Sequence, residues 1–124
     1  MAESSSTVQL SRQGRVTVVS LQIEDYGNFA EEGLASFRQE LLDCVDCEDE
    51  PRIVLDFSKT TFFASQFLSI LLRAWQRVVS KDGSHMGLCC LSHHCAQVIR
   101  DTQLSQLWDV SETLEEAIAK AEAS

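Results

Sequence analysis

The sequence predicts a single α/β domain, with a mixed, mostly parallel sheet of about four to five strands flanked by about four helices. Three observations predict it. Ile53, Val54, Leu55 and Phe57 form a nearly continuous apolar run, the pattern of a strand covered on both faces and so of the middle of a parallel sheet. Thr60 to Ala64 then lead to Ser65, a good N-cap ahead of Phe67, Leu68, Ile70, Leu71, Leu72, Trp75, Val78 and Val79, which recur at helical spacing. The rest of the chain reads strand-strand-helix before this unit and strand-helix-strand-helix after it, an order that needs right-handed crossovers between parallel strands.

Taken in order, Ala2 to Thr7 is small and polar and is expected to be a loose lead-in, with the domain running from 8 to 124. Val8 and Leu10 alternate with polar residues, Ser11-Arg12-Gln13-Gly14 supplies turn chemistry, and Val16, Val18, Val19, Leu21 and Ile23 follow. This is a β-hairpin, or one strand preceded by a short edge strand. Asn28 and Glu31 have capping-box spacing ahead of Ala30, Leu34, Phe37, Leu41 and Val45, so the first helix starts there. It ends in an acidic stretch from Asp43 to Glu50, a solvated helix end that Pro51 stops. Beyond the long helix, Gly83 is a C-cap and Met86 to Leu91 is the next interior strand. Ser92 caps a short helix over His93 to Thr102. Leu104, Leu107, Trp108 and Val110 make a brief strand or packed loop, and Ser111 caps a last helix buried along Leu114, Ala117, Ile118 and Ala121.

Composition narrows the function. The chain has 124 residues and is 44% hydrophobic, enough to bury roughly two-thirds of its unfolded surface as one domain without a metal or disulfide. A formal net charge of −9 disfavours nucleic acid and anionic membrane, which select clustered Lys and Arg. A basic or amphiphilic protein partner suits it better. Met1 to Thr7 has neither the basic start nor the apolar core of a leader, and no apolar run reaches bilayer length. A cytoplasmic location is expected, where the five cysteines are free thiols.

Order and residues together resemble the STAS domains, named for sulfate transporters and anti-sigma factor antagonists. The resemblance rests first on IVLDFSKTTFFASQFLSILL: an apolar strand, an Asp, a short polar turn, and a Ser opening a long helix. Gly87 to Ser92, Val98 to Trp108, and the helix opening near Ser111 to Ala117 extend it from about Val8 to Ala121. It implies a non-enzymatic interaction module. In its anti-anti-sigma members a partner kinase, itself an anti-sigma factor, phosphorylates the Ser at the long helix's start and so abolishes docking. Carried across, the phosphorylation site is Ser65, and the partner-binding stretch is Thr60, Thr61, Phe62, Phe63, Ala64, Ser65, Gln66 and Phe67. Ala64 stands where the family usually has Asp, and Gln66 and Phe67 where it has small residues. The sequence leaves a homodimer open.

Two other readings compete. Ser65 serves only as a cap in a constitutive STAS scaffold, or the chain is a thiol or metal-dependent enzyme built on Cys89, Cys95 and His93. Zinc needs converging ligands, yet Cys89 and Cys90 as neighbours on a strand point to opposite faces, and Cys44-x-x-Cys47 would have to approach His93-His94-Cys95. Core cysteines and surface histidines are the better account, so neither metal nor cofactor is expected. Asp56 is expected to accept backbone hydrogen bonds in the turn after the strand. Phe62, Phe63 and Phe67 cannot all enter the core if that turn is tight.

Overall fold

A computed structural model of the chain describes residues 8–24, 31–47, 49–63, 65–81 and 83–123, with the backbone alone at 31–33 and 65. Val8–Gln13 (β1) and Val16–Leu21 (β2) form an antiparallel hairpin. Then come Glu31–Asp46 (α1), Arg52–Asp56 (β3), Ser65–Val79 (α2), His85–Cys89 (β4), His93–Asp101 (α3), Asp109–Ser111 (β5) and Leu114–Ala123 (α4). The sheet order is β1-β2-β3-β4-β5, with β2 to β5 mutually parallel. The α/β architecture is the expected one, and β3 is its middle strand.

Strand alternation explains why two unequal cores result. On one face Val19, Leu21, Ile53, Leu55, Met86 and Leu88 meet the apolar stripes of α1, α2 and α3, with Trp108 filling the far end. On the other, Val16, Val18, Val54 and Cys89 meet Ala117 and Ala121 of α4, with Leu114 and Ile118 of the same helix packed against them. Small residues let that one helix lie close. Its end is held by Arg52, which donates to the Ala121 carbonyl at 2.6 Å, and by Arg15, whose N–H and guanidinium bond Glu122.

Four boundaries differ from the expectation. The hairpin turn is Gly14-Arg15 rather than Ser11 to Gly14: Gln13 pairs with Val16, and a two-residue turn needs the positive φ of 63° found at Gly14. The long helix ends at Val79, and the Ser84 hydroxyl donates to the carbonyls of Val78 and Lys81 before Gly83 at φ 74° would matter as a cap. β4 stops at Cys89, not Leu91, because Cys90 turns the chain at φ 61°. Ser111 is a buried β5 residue and does not cap α4; Thr113 does, accepting from the Glu116 N–H at 3.1 Å while the Glu116 carboxylate accepts from the Glu112 N–H. The expected Asn28 capping box, Ala64 and the lead-in to Thr7 lie outside the described residues.

Candidate docking site

The site begins where β3 runs out. Asp56 Oδ1 accepts the Ser58 N–H at 2.9 Å, the turn role expected for it, and the Thr60 N–H closes a turn onto the Phe57 carbonyl. The loop is then tied to the extension of β2. Thr60 is buried and its hydroxyl donates to the Ile23 carbonyl at 2.7 Å. The N–H groups of Thr61 and Phe62 both point to the Glu24 carbonyl, and Lys59 Nζ reaches Gln22 Oε1.

Three aromatic side chains in the loop and helix start divide between core and surface. Phe63 and Phe67 are buried and stacked on each other with centroids 5.1 Å apart. Phe67 also stacks on Phe37 of α1 at 4.9 Å, and Phe57 meets both by its edge. Each such ring contributes about 2–3 kcal/mol by leaving water, so the start of α2 is fixed against α1 from below. Phe62 is 38% exposed and stacks on His94 of α3 at 4.6 Å. Ser92 joins the same surface: its Oγ accepts the Cys95 N–H as the α3 cap and donates to the Thr61 carbonyl at 3.0 Å.

Of the expected partner-binding residues, Thr60, Phe63 and Phe67 are therefore removed from the surface, because the tight turn and the α1 packing draw them inward. Thr61, Phe62 and Gln66 remain exposed. Ser65 is the first residue of α2, where backbone N–H groups lack helical partners and the helix dipole is positive. No acidic residue occupies that first turn. Beside it a shallow groove of about 260 Å³ runs between α1 and α2, lined by Leu34, Ala35, Arg38, Gln66 and Ile70. His94 and the α1 side of this groove were missed by sequence reasoning, since nothing local ties them to the loop.

The thiol and histidine residues do not assemble into the enzyme centre considered above. Cys89 and Cys95 lie in the cores on opposite faces of the sheet, His93 is exposed, and burial pushes the Cys95 thiol up in pKa against the smaller opposite effect of the Ser92 hydrogen bond. Cys44 and Cys47 line a separate groove with Val8, Gln9 and Leu10 of β1. One premise fails, however. Cys90 lies beyond the strand with a positive φ, so alternation does not separate it from Cys89, and the ligand atoms of Asp56, Cys89 and Cys90 all lie within 4.8 Å of one another. Among the described residues no helix is long and apolar enough to cross a membrane.

A strand ending in Asp, a polar turn, and a Ser-initiated helix packed on α1 reproduce the STAS pattern in three dimensions, and the family's sequence pattern matches residues 7–117. The chain belongs to the STAS domain family. Solved structures agree on the fold of this STAS domain. An anti-sigma-factor antagonist (STAS) domain protein from Planctomyces limnophilus is 21% identical with TM-score 0.84, over 95% of this chain and 99% of that one. SpoIIAA in its unphosphorylated form is 18% identical with TM-score 0.74, over 94% and 97%. The Bacillus cell fate determinant SpoIIAA in its phosphorylated form is 20% identical with TM-score 0.67, over 91% and 97%. A search of curated protein sequences gave no significant match.

Proposed function

We propose that this STAS domain is a non-enzymatic switch module that docks a bacterial, cytoplasmic protein partner, an anti-sigma factor or a related kinase, and that phosphorylation of Ser65 releases it. The observation that carries the reading is the place of Ser65: first residue of α2, at the carboxyl end of the central strand, between exposed Phe62 and exposed Gln66. The docking face comprises Thr61, Phe62, Gln66 and the α1–α2 groove, while Thr60, Phe63 and Phe67 hold it in shape. Two of the solved relatives are the unphosphorylated and phosphorylated forms of one protein, SpoIIAA, which supports a phosphorylation switch on this scaffold.

The physics of such a switch is local. A phosphoryl group adds a charge of roughly −1.5 to −2. At a helix start it meets free N–H groups and positive potential, so the fold tolerates it. An acidic or apolar partner surface would not. The test compares wild type with Ser65→Asp in pull-downs from native-cell lysate, with retained proteins identified by mass spectrometry. A kinase-like or anti-sigma partner held by wild type and lost by Ser65→Asp is the expected result. Equal retention by both would make Ser65 structural and the domain a constitutive scaffold.

A further inference from the structure

We propose that Asp56, Cys89 and Cys90 form a binding site for a thiophilic divalent cation of the zinc class, held by two thiolates and one carboxylate. Parallel register builds the site. Asp56 of β3 pairs with Cys89 of β4, and Cys89 pairs with Ser111 of β5, so three polar side chains stand side by side at the carboxyl end of the sheet on the α4 face. Cys90, the next residue, folds its thiol back into this row only because it adopts the left-handed conformation at φ 61°. An L residue reaches that region at a cost and keeps it where surrounding structure or function demands it.

The donor set fits the ion. Oxygen and sulfur ligands of a tetrahedral zinc lie about 2.0 and 2.3 Å from the metal, which sets ligand-to-ligand edges of about 3.5–3.8 Å. Three atoms already within 4.8 Å of one another need only a small contraction. The three side chains sit together beside the start of α4, where Cys90 and Leu114 both pack against the core row that holds Cys89. A second observation points to a missing polar guest: the Ser111 hydroxyl is buried at the neighbouring register position and has no hydrogen-bond partner among the described residues. A water completing the tetrahedron can serve it.

Binding is balanced by proton release. The cation takes two thiolates, two thiol protons leave to solvent, and the carboxylate binds as it stands. No electrons move. Because two thiol protons must leave, affinity falls as pH is lowered, by up to about 100-fold per unit. The site is independent of docking at Ser65, and it is probed with the metal alone.

The test titrates the reduced full chain with Cd²⁺ under anaerobic conditions and follows the ultraviolet thiolate-to-cadmium charge-transfer band, with Zn²⁺ competing it away. One equivalent, with proton release measured in two buffers, is expected for wild type and for Cys47→Ser, which removes the exposed thiol of α1's end. Cys90→Ser should weaken binding by at least about 100-fold and Asp56→Asn by about 10-fold or more. Absence of the band in wild type, its persistence in Cys90→Ser, or its loss in Cys47→Ser would overturn the site. If circular dichroism shows that Cys90→Ser does not fold, Asp56→Asn decides, and an affinity equal to wild type counts against the proposal.

Discussion

The hydroxyl of Ser92 donates to the carbonyl of Thr61 at 3.0 Å, across 31 residues of sequence. The same oxygen accepts the Cys95 N–H as the α3 cap. One atom thus serves a helix end and the exposed loop of the candidate docking face. Ser92→Ala removes both bonds and should cost about 1–2 kcal/mol of stability. Hydrogen exchange should quicken at Thr61, Phe62 and the first turn of α3 well before it changes in the β3 core. An exchange pattern altered uniformly through the sheet would mean that the bond is not a local tether.

Phe62 and Phe67 lie five positions apart and do opposite work. Phe67→Ala opens a cavity between α1 and α2 and should cost about 3–5 kcal/mol. Phe62→Ala gives up a half-exposed stack on His94 and should cost less than about 1 kcal/mol, yet it should weaken capture of the partner strongly. Thermal melts of the two variants, set beside their pull-downs, separate the roles. A Phe62→Ala protein that melts normally and binds normally would move the docking face away from this loop.

How much of this was legible depended on whether the signal was local. The buried strand at Ile53 to Leu55 and the Ser92 cap announce themselves by run and by neighbour, and both stand as expected. Ser111 and Thr113 are both hydroxyls ahead of the same apolar stripe; only the Thr113-x-x-Glu116 spacing, a capping box, distinguishes them. The division of Phe62 from Phe63 and Phe67 needs the turn geometry set by the Thr60 and Ile23 bond, which spans 37 residues. Cys90 was the hardest. Nothing in an L residue's identity announces a positive φ, so the rule of alternating faces was carried one residue past the strand it governs.

Arg52 of β3 and Arg15 of the hairpin turn hold α4 from different elements. The buried Arg52 guanidinium donates to the Ala121 carbonyl, so Arg52→Ala should cost about 1–3 kcal/mol and loosen α4 first. The Arg15 N–H and guanidinium, through hydrogen bonds and charge, hold the exposed Glu122 carboxyl below its ordinary value of 4.5. A depressed carboxyl stabilises the fold above its unfolded value and loses that contribution as pH falls through the folded one. The acid limb of the stability curve below about pH 4.5 should therefore be shallower in Glu122→Gln than in wild type. Identical limbs would show that the Arg15 contact does not persist in solution.

His85 gives a second, milder pH dependence. Its imidazole sits 3.6 Å from the Asp109 carboxylate across the β4–β5 edge, yet its pKa is lowered from 6.5, because burial disfavours the charged ring more than Asp109 favours it, and Arg52 and Lys120 add repulsion. The unfolded chain then binds a proton near pH 6.5 that the folded chain refuses. Stability is full above that value and declines as pH falls toward the folded pKa, where it levels off. Melting temperatures recorded from pH 7.5 down to about 5 should fall in wild type and stay nearly flat in His85→Gln, which keeps a neutral polar side chain at the site. A wild-type melting temperature that rises over this range would reverse the balance and show the Asp109 pair dominating burial.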